Sequence, residues 1–431
     1  MKLSIISLGC AKNTVDSEKL AGILSQNNIQ VVFDSLERCD AVVVNTCGFI
    51  LDSQQESIDT ILDVIRLKND KRRRLKRIYV FGCLAAKSMP VLKEEIPEVD
   101  GWFGVNEIEK TAKSILDDLQ MSYVERYYGT TRMLSTPKHY AYLKIAEGCN
   151  KFCSFCAIPL IRGKHVSRSK EEILAEAQQL YDKGVKEIIL LSQDLTYYGR
   201  DIYNSLEICD LVRKIAAIGF PWVRLHYAHP NEITDEFLNL YNELPNLCRY
   251  LDIPLQHVST HILSSMKRNT TKEETIDLVK KIRHIVKDMA IRTTFIVGYP
   301  GETREDFCEL LDFVKDAEFD RVGVFKFSPE ENTAAFNQTD DVDDDTKTER
   351  LDKIMSLQEN IATRNNDKFI GKKVRVLVDY MENDYYVGRT QYDSPEVDNE
   401  VLIFSDKTLQ IGMFYDVTVE DTMSFDLIAK I

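Results

Sequence analysis

The chain has 431 residues, 44 % of them hydrophobic, and a formal net charge of −14. That length allows roughly two to four domains with ample core, and the acidic balance argues against nucleic acid as the main partner, because phosphate binding draws on Lys and Arg. No uninterrupted apolar run approaches the ~18 residues of a membrane span. Residues 1–9 run into an apolar, strand-like segment with no basic stretch or small-residue cleavage site, so the ten cysteines are expected in a reducing, cytoplasmic setting, where thiols ligate metals more often than they pair.

In chain order, strand-like runs at residues 2–8, 41–44 and 78–81 alternate with helical stretches at 16–26 and 54–68, the rhythm of a parallel α/β domain. Each run leads into a cysteine: Gly9-Cys10, Asn45-Thr46-Cys47 and Gly82-Cys83. Open parallel sheets bind ligands outside the carboxyl ends of their strands, so these three thiols can converge on one group. The plain alternative is that they are buried packing residues, which three cysteines in the same register of successive units argue against. A basic run, Lys71, Arg72, Arg73, Arg74, Lys76 and Arg77, precedes the third strand. It reads as an exposed helix end complementing the dipole, with a secondary contact to RNA as the other reading. Apolar periodicity stops over residues 122–136, where Gly129, Thr130, Thr131, Ser135, Thr136 and Pro137 cluster, which bounds a first domain at 1–125.

A second β/α series spans 138–365. Its strand cores fall at 140–145, 187–191, 223–227, 250–254, 291–297 and 322–327, with helices such as 170–183 and 272–287 between them. Six repeats are too few for a closed eight-stranded barrel and predict an open (β/α)6 partial barrel. Directly after its first strand comes Cys149-Asn150-Lys151-Phe152-Cys153-Ser154-Phe155-Cys156, a C-x3-C-x2-C run. Three thiols so placed nominate an iron–sulfur cluster, and with three protein ligands a cubane keeps one iron open for chemistry. Zinc would need a fourth ligand; His165 and His139 are nearest but fit no zinc spacing. A disulfide is disfavoured by the expected compartment. An electron-storage protein would ordinarily close its clusters with four cysteines. The remaining cysteines, Cys39, Cys209, Cys248 and Cys308, lack ligand spacing and read as packing residues. His226 and His229 lack a third ligand and read as capping or packing.

Other strand ends carry polar and glycine residues: Ser192-Gln193-Asp194, Pro254-Leu255-Gln256-His257 and Gly298-Tyr299-Pro300-Gly301-Glu302-Thr303. Polar groups there can meet a ligand, and glycines let backbone approach it closely; alone, Pro300-Gly301 is an ordinary turn. Lys144, Arg162, Arg168 and Arg292 are candidate carboxylate partners.

Beyond residue 327 an acidic run, Asp340, Asp341, Asp343, Asp344 and Asp345, leads into a charged helix at 346–365. Residues 367–431 then alternate as five short strands at 374–378, 385–389, 400–404, 414–419 and 425–431. They predict a small antiparallel barrel of the oligonucleotide-binding (OB) kind. It holds thirteen acidic and seven basic residues, a net −6. Such a barrel suits a basic protein partner better than RNA, with Asp393, Glu396, Asp398 and Glu400 expected to meet it.

The C-x3-C-x2-C run resembles the signature of the radical S-adenosylmethionine (SAM) enzymes, and the terminal barrel resembles a TRAM domain in size and position. The order of three-cysteine domain, radical SAM domain and TRAM-like barrel resembles the methylthiotransferases. Ser7-Leu8-Gly9-Cys10-Ala11-Lys12-Asn13-Thr14-Val15-Asp16-Ser17-Glu18 is similar to the run of the branch that modifies ribosomal protein S12; the tRNA branch typically shows G-C-Q-M-N or G-C-K-V-N. The resemblance implies a 4Fe–4S cluster on Cys149, Cys153 and Cys156 that binds and cleaves SAM. It also implies an auxiliary 4Fe–4S cluster on Cys10, Cys47 and Cys83 that delivers sulfur to an aspartate β-carbon, a methyl group from a second SAM, and an electron donor such as flavodoxin or ferredoxin. Lys144, Gln193, Asp194, Gln256, Arg292, Gly298, Gly301 and Glu302 are its candidate SAM contacts. No catalytic residue is assigned beyond the clusters.

Overall fold

A computed structural model describes residues 1–70, 72–124 and 131–431; Lys71, Gly129 and Thr130 lie outside the described residues. The first domain is a five-stranded parallel sheet of β1 (Lys2–Ser7), β2 (Gln30–Phe33), β3 (Ala41–Thr46), β4 (Arg77–Gly82) and β5 (Gly101–Trp102). Its order is β2-β1-β3-β4-β5, so the winding reverses between β1 and β3, the place where such sheets open a ligand crevice. β3 is buried on both faces. Ala41 and Val43 pack with α1 (Ala11–Gln26), while Val42 and Val44 pack on the other side against α2 (Leu51–Asn69) and α3 (Cys83–Glu95). A fourth helix, α4 (Ile108–Asp118), joins α1 on its face. The short strands β2 and β5 have no counterpart in the sequence reading. The exposed end of the basic run pairs locally, Arg72 with Asp70, Arg74 with Asp40, and Arg77 with Asp100 and Asp118.

The second domain opens with β6 (Tyr140–Lys144), followed by the two-residue partners β7 (Ala146–Glu147) and β8 (Val166–Ser167), which pair across the cysteine loop. Then come β9 (Glu187–Leu191), β10 (Trp222–Leu225), β11 (Tyr250–Asp252), β12 (Ala290–Val297) and β13 (Arg321–Lys326). The main strands form two three-stranded parallel sheets, β6-β9-β10 and β11-β12-β13. Between them the Val223 N–H donates to Asn246 O and the Cys248 N–H to Val223 O, both at 2.8 Å. The result is the open six-stranded arc expected. Its helices start on sequence signals: Thr271 with Glu274, and Thr303 with Asp306, form reciprocal caps. The helix Asp344–Asp367 packs along β12 and β13, burying Ile354, Gln358, Ile361 and Ala362. Asp343 from the acidic run caps it, its carboxylate accepting from the Thr346 N–H at 2.8 Å.

The last domain is a closed five-stranded barrel of β14 (Lys373–Glu382), β15 (Tyr385–Arg389), β16 (Val401–Phe404), β17 (Phe414–Thr422) and β18 (Leu427–Lys430). The all-antiparallel expectation is corrected at one seam: β16 and β18 pair in parallel. The order β14-β15-β16-β18-β17 brings the last strand beside the third, and that closes the ring.

This barrel covers the amino-terminal end of the radical SAM arc. Glu187, the first residue of β9, is fully buried and accepts from Arg224 Nε at 2.6 Å and Arg389 Nη1 at 2.8 Å. The segment between β15 and β16 reaches inward. Tyr140 and Tyr142 hydroxyls donate to Glu396 at 2.9 and 3.2 Å, Tyr250 donates to Asp398 at 2.7 Å, Arg292 donates to Asp398 at 3.1 Å, and Arg321 pairs with Asp393. The expected docking role of Asp393 and Asp398 is therefore corrected, because arginines and a tyrosine at the strand starts hold their buried carboxylates, while Glu396 stays exposed.

Removing Glu187 leaves two buried guanidiniums short of a partner, which costs about 3–5 kcal/mol. Glu187→Ala should lower stability by that amount in denaturation, while the exposed Asp384→Asn should stay within about 0.5 kcal/mol. Deleting residues 367–431 should destabilise the central domain itself.

Candidate active site

The first cysteine triad is assembled by tight turns at the carboxyl ends of β1, β3 and β4. Gly9 has φ +87°, and a Cβ there would lie 2.7 Å from Cys47 Cβ. Asn13 ties the three loops together: its amide donates to Leu8 O at 2.9 Å and Thr46 O at 3.1 Å, and its Oδ1 faces Cys83 Sγ at 3.7 Å. Cys10 precedes the first turn of α1 and Cys83 opens α3, positions where helix N-termini favour thiolate. Burial pushes Cys83 up to about 11, and Cys47 also upward. For Cys10 burial pulls the same way, but Lys12 and Arg162 outweigh it and hold the thiol below its ordinary value.

The second triad lies on the loop between β7 and β8. Gly148 has φ +75°, and a Cβ would collide with Lys164 O at 2.1 Å; only glycine lets the hairpin close. The Cys149 N–H donates to Gly163 O at 3.1 Å and the Cys156 N–H to Cys153 O at 3.0 Å. Arg268 Nη1 approaches Cys153 Sγ at 3.5 Å. Burial raises Cys149 to about 11 and Cys156 to about 12. All ten cysteines are free thiols. Among the described residues no three His, Cys, Asp or Glu side chains gather tightly enough for a single metal ion. A cubane asks for something wider, because each thiolate takes a different iron.

One arginine touches both neighbourhoods. Arg162, buried, donates from Nε to Cys83 Sγ at 3.3 Å, from Nη2 to Asn13 at 2.6 Å, and from Nη1 to Asp16 at 3.1 Å and Glu147 at 2.8 Å. Lys144 joins the same two carboxylates, at 2.6 Å to Glu147. Burial would raise the Glu147 carboxyl, but Lys144 and Arg162 hold it well below the usual range. A parallel network links the segment before β6 to both domains: Arg132 pairs with Glu18 and, at 2.9 Å, with Glu176.

The polar residues read from the sequence separate into two sets. Gln193 donates to Glu147, beside Cys149. Ser192 Oγ, Gln193 Oε1 and His257 Nε2 are buried with no hydrogen-bond partner, the condition of groups that await a polar ligand, and Asp194 Oδ2 has only the Lys151 ammonium, at 3.6 Å. The others are engaged internally. Arg168 pairs with Glu176, and Arg292 lies between Asp252 and Asp398. Glu302 accepts from the Gly298 and Tyr299 N–H groups and from Arg350, and burial lifts it to about 7. Gly298, at φ +69°, makes room for Lys347 rather than for a ligand, and Gly301 donates to Asp341 at 2.8 Å. Gln256 has φ +74° and bonds backbone to Thr294. His226 bonds Ser394 and His229 caps a turn, both held neutral by burial. Cys39, Cys209 and Cys248 are buried as expected; Cys308 is exposed, on the outer face of the helix Arg304–Ala317.

Sequence reasoning did not single out Asn13, Asp16, Glu147 or Arg268. The available signal was in α1, which buries Lys12, Asn13, Asp16, Ser17 and Glu18. Arg162→Met and Asp16→Leu, made singly and together, should be non-additive by about 0.5–3 kcal/mol in denaturation, because each leaves the other's charge buried.

Three family models match consecutive parts of the chain: uncharacterized protein family UPF0004 over residues 2–104, the radical SAM superfamily over 143–314, and the TRAM domain over 370–431. Curated relatives named ribosomal protein uS12 methylthiotransferase RimO match end to end. That of Phocaeicola vulgatus is 46 % identical, covering 100 % of this chain and 99 % of the relative. That of Christiangramia forsetii is 45 % identical over 99 % and 93 %. Among solved structures, the fold is similar to the radical SAM methyltransferase TsrM of Kitasatospora setae, with TM-score 0.55, 16 % identity, and 75 % of this chain and 74 % of that one covered. It is also similar to the cobalamin-dependent enzyme OxsB, with TM-score 0.52, 14 % identity, and 84 % and 56 % covered. With three domains in this order and full-length identity of this degree, the chain belongs to the radical S-adenosylmethionine methylthiotransferases, in the branch of the ribosomal protein uS12 methylthiotransferases.

Proposed function

We propose that the protein methylthiolates the β-carbon of an aspartate side chain of ribosomal protein uS12, using two 4Fe–4S clusters and S-adenosylmethionine. The observation that carries this reading is the pair of three-thiol sites joined across the domain boundary by Arg162, within reach of Cys83 Sγ and of Glu147 beside Cys149. The donor sets suit the clusters: each offers three free cysteines, with no fourth thiol singled out by spacing. Cys149, Cys153 and Cys156 would hold the cluster that would supply one-electron reduction for SAM cleavage, and Cys10, Cys47 and Cys83 would hold the auxiliary cluster that would carry the sulfur for delivery.

The protein's own groups bind and orient. Ser192 and Gln193, each with a buried atom that lacks a hydrogen-bond partner, would meet the polar parts of SAM, together with Asp194, whose Oδ2 faces Lys151 at 3.6 Å. Lys144 and Arg162, already neutralised by Asp16 and Glu147, fix the loops rather than bind substrate. An electron donor of the flavodoxin or ferredoxin kind would complete the cycle, and a ribosomal protein substrate implies action in the cytoplasm. Among the described residues no helix is long and apolar enough to cross a membrane.

Anaerobic reconstitution should load about eight irons per chain, and about four when Cys149, Cys153 and Cys156 are all replaced by Ala. A wild-type content near four would remove the auxiliary cluster. With SAM and dithionite the loaded protein should release 5′-deoxyadenosine. The decisive measurement is mass spectrometry of uS12 and of tRNA after incubation: one methylthio group in place of hydrogen on an aspartyl peptide is expected. The same group on a tRNA adenosine would replace this reading with the tRNA branch's.

A further inference from the structure

Lys12 is 8 % exposed, yet among the described residues its ammonium makes no hydrogen bond and no ion pair. Its Nζ lies over the ring of Tyr227, 3.5 Å from the centroid, and its charge also acts on the Cys10 thiol of the same loop. Most other buried cations among the described residues are matched by a carboxylate, Arg132 by Glu18, Lys144 and Arg162 by Asp16, Arg224 and Arg389 by Glu187, while the buried Arg268 has a backbone carbonyl and faces the Cys153 sulfur. A buried ammonium is costly to desolvate without an anion, and an aromatic face returns only part of that cost.

The place is as telling as the missing partner. Lys12 stands two residues after Cys10 in the auxiliary triad. Tyr227 follows β10 at the carboxyl end of the radical SAM arc, held at φ +64° with its N–H on Asp252 at 3.2 Å. A positive φ at a tyrosine is disfavoured and persists only where surrounding contacts impose it. The ammonium thus lies between the sulfur-delivering site and the radical-generating domain, where the reacting carbon has to come.

We infer that Lys12 is the anchor for the carboxylate of the substrate aspartate. The inference rests on the functional reading above and names the residue behind its specificity. The β-carbon of aspartate is bonded to the carboxyl carbon, so gripping the carboxylate presents that carbon to both sites. An asparagine or a nucleobase brings no negative charge and leaves the ammonium unpaired, which makes Lys12 a selector for an acidic residue on an otherwise basic protein.

The test measures binding to the cluster-loaded protein with SAM and without reductant, using uS12 and uS12 with its target aspartate changed to asparagine. Wild type should prefer the aspartate form about 10- to 100-fold, the range of a hydrogen bond to a charged group. Lys12→Met should bring the two affinities together, and Lys12→Arg should keep most of the preference. Iron content and cluster spectra of each variant are recorded alongside. A preference that survives Lys12→Met, with altered cluster spectra or without, makes Lys12 a counter-charge of the cluster or a packing residue and overturns the inference alone. Wild type that neither binds nor modifies uS12 overturns the functional reading, and the inference with it.

Discussion

The structure depends on a buried carboxylate shared between two cations. Glu147, just before the second cysteine loop, holds Lys144 and Arg162, and Asp16 from α1 of the neighbouring domain completes the square. An apolar interface could slide by a residue at modest cost, whereas a buried ionic one cannot, since any other register leaves charge unpaired in a poorly solvated place. The network therefore joins the two β/α units at a fixed register around the cysteine loops. Arg162 extends it directly to Cys83 of the amino-terminal triad, its Nε donating to Sγ at 3.3 Å.

The opposite end of the central arc is built on the same principle and serves stability. Glu187, Asp393, Asp398 and Glu396 receive arginines and tyrosines from the first turns of five strands. Chemistry at the carboxyl ends and stability at the amino ends is the division of labour usual in barrel enzymes. Three of these acids, Asp393, Glu396 and Asp398, come from the terminal barrel, and Glu187 from the arc itself.

The placement of the six cysteines at strand ends was legible in the sequence because spacing and strand-end position are local properties. The six thiols, the β/α alternation and the six-stranded arc could all be read from runs of a few residues. The shortest strands, Gln30–Phe33 and Gly101–Trp102, carry too little pattern to stand out. The charge pairings were not legible. Asp393 and Asp384 look alike in a composition count, and only the fold buries one of them. Glu302 and Gly298 have the composition of a ligand loop, yet their partners are Arg350 and Lys347 from a helix roughly fifty residues downstream. The polar buried face of α1 was the one long-range feature with a local signature.

The two ends of the arc are in contact through its interior. Asp398 of the terminal barrel holds Arg292 at 3.1 Å, Arg292 faces Asp252 at 3.6 Å, Asp252 accepts the Tyr227 N–H at 3.2 Å, and the Tyr227 ring underlies Lys12. Each step is short and mostly charge-assisted, so a shift of Asp398 has few ways to relax other than by moving Arg292. Burial raises the Asp252 carboxyl against the pull of Arg292, which makes the middle of the chain sensitive to how well that arginine is oriented. The terminal barrel therefore bears on the substrate side of the site without touching it, through the position of one tyrosine ring.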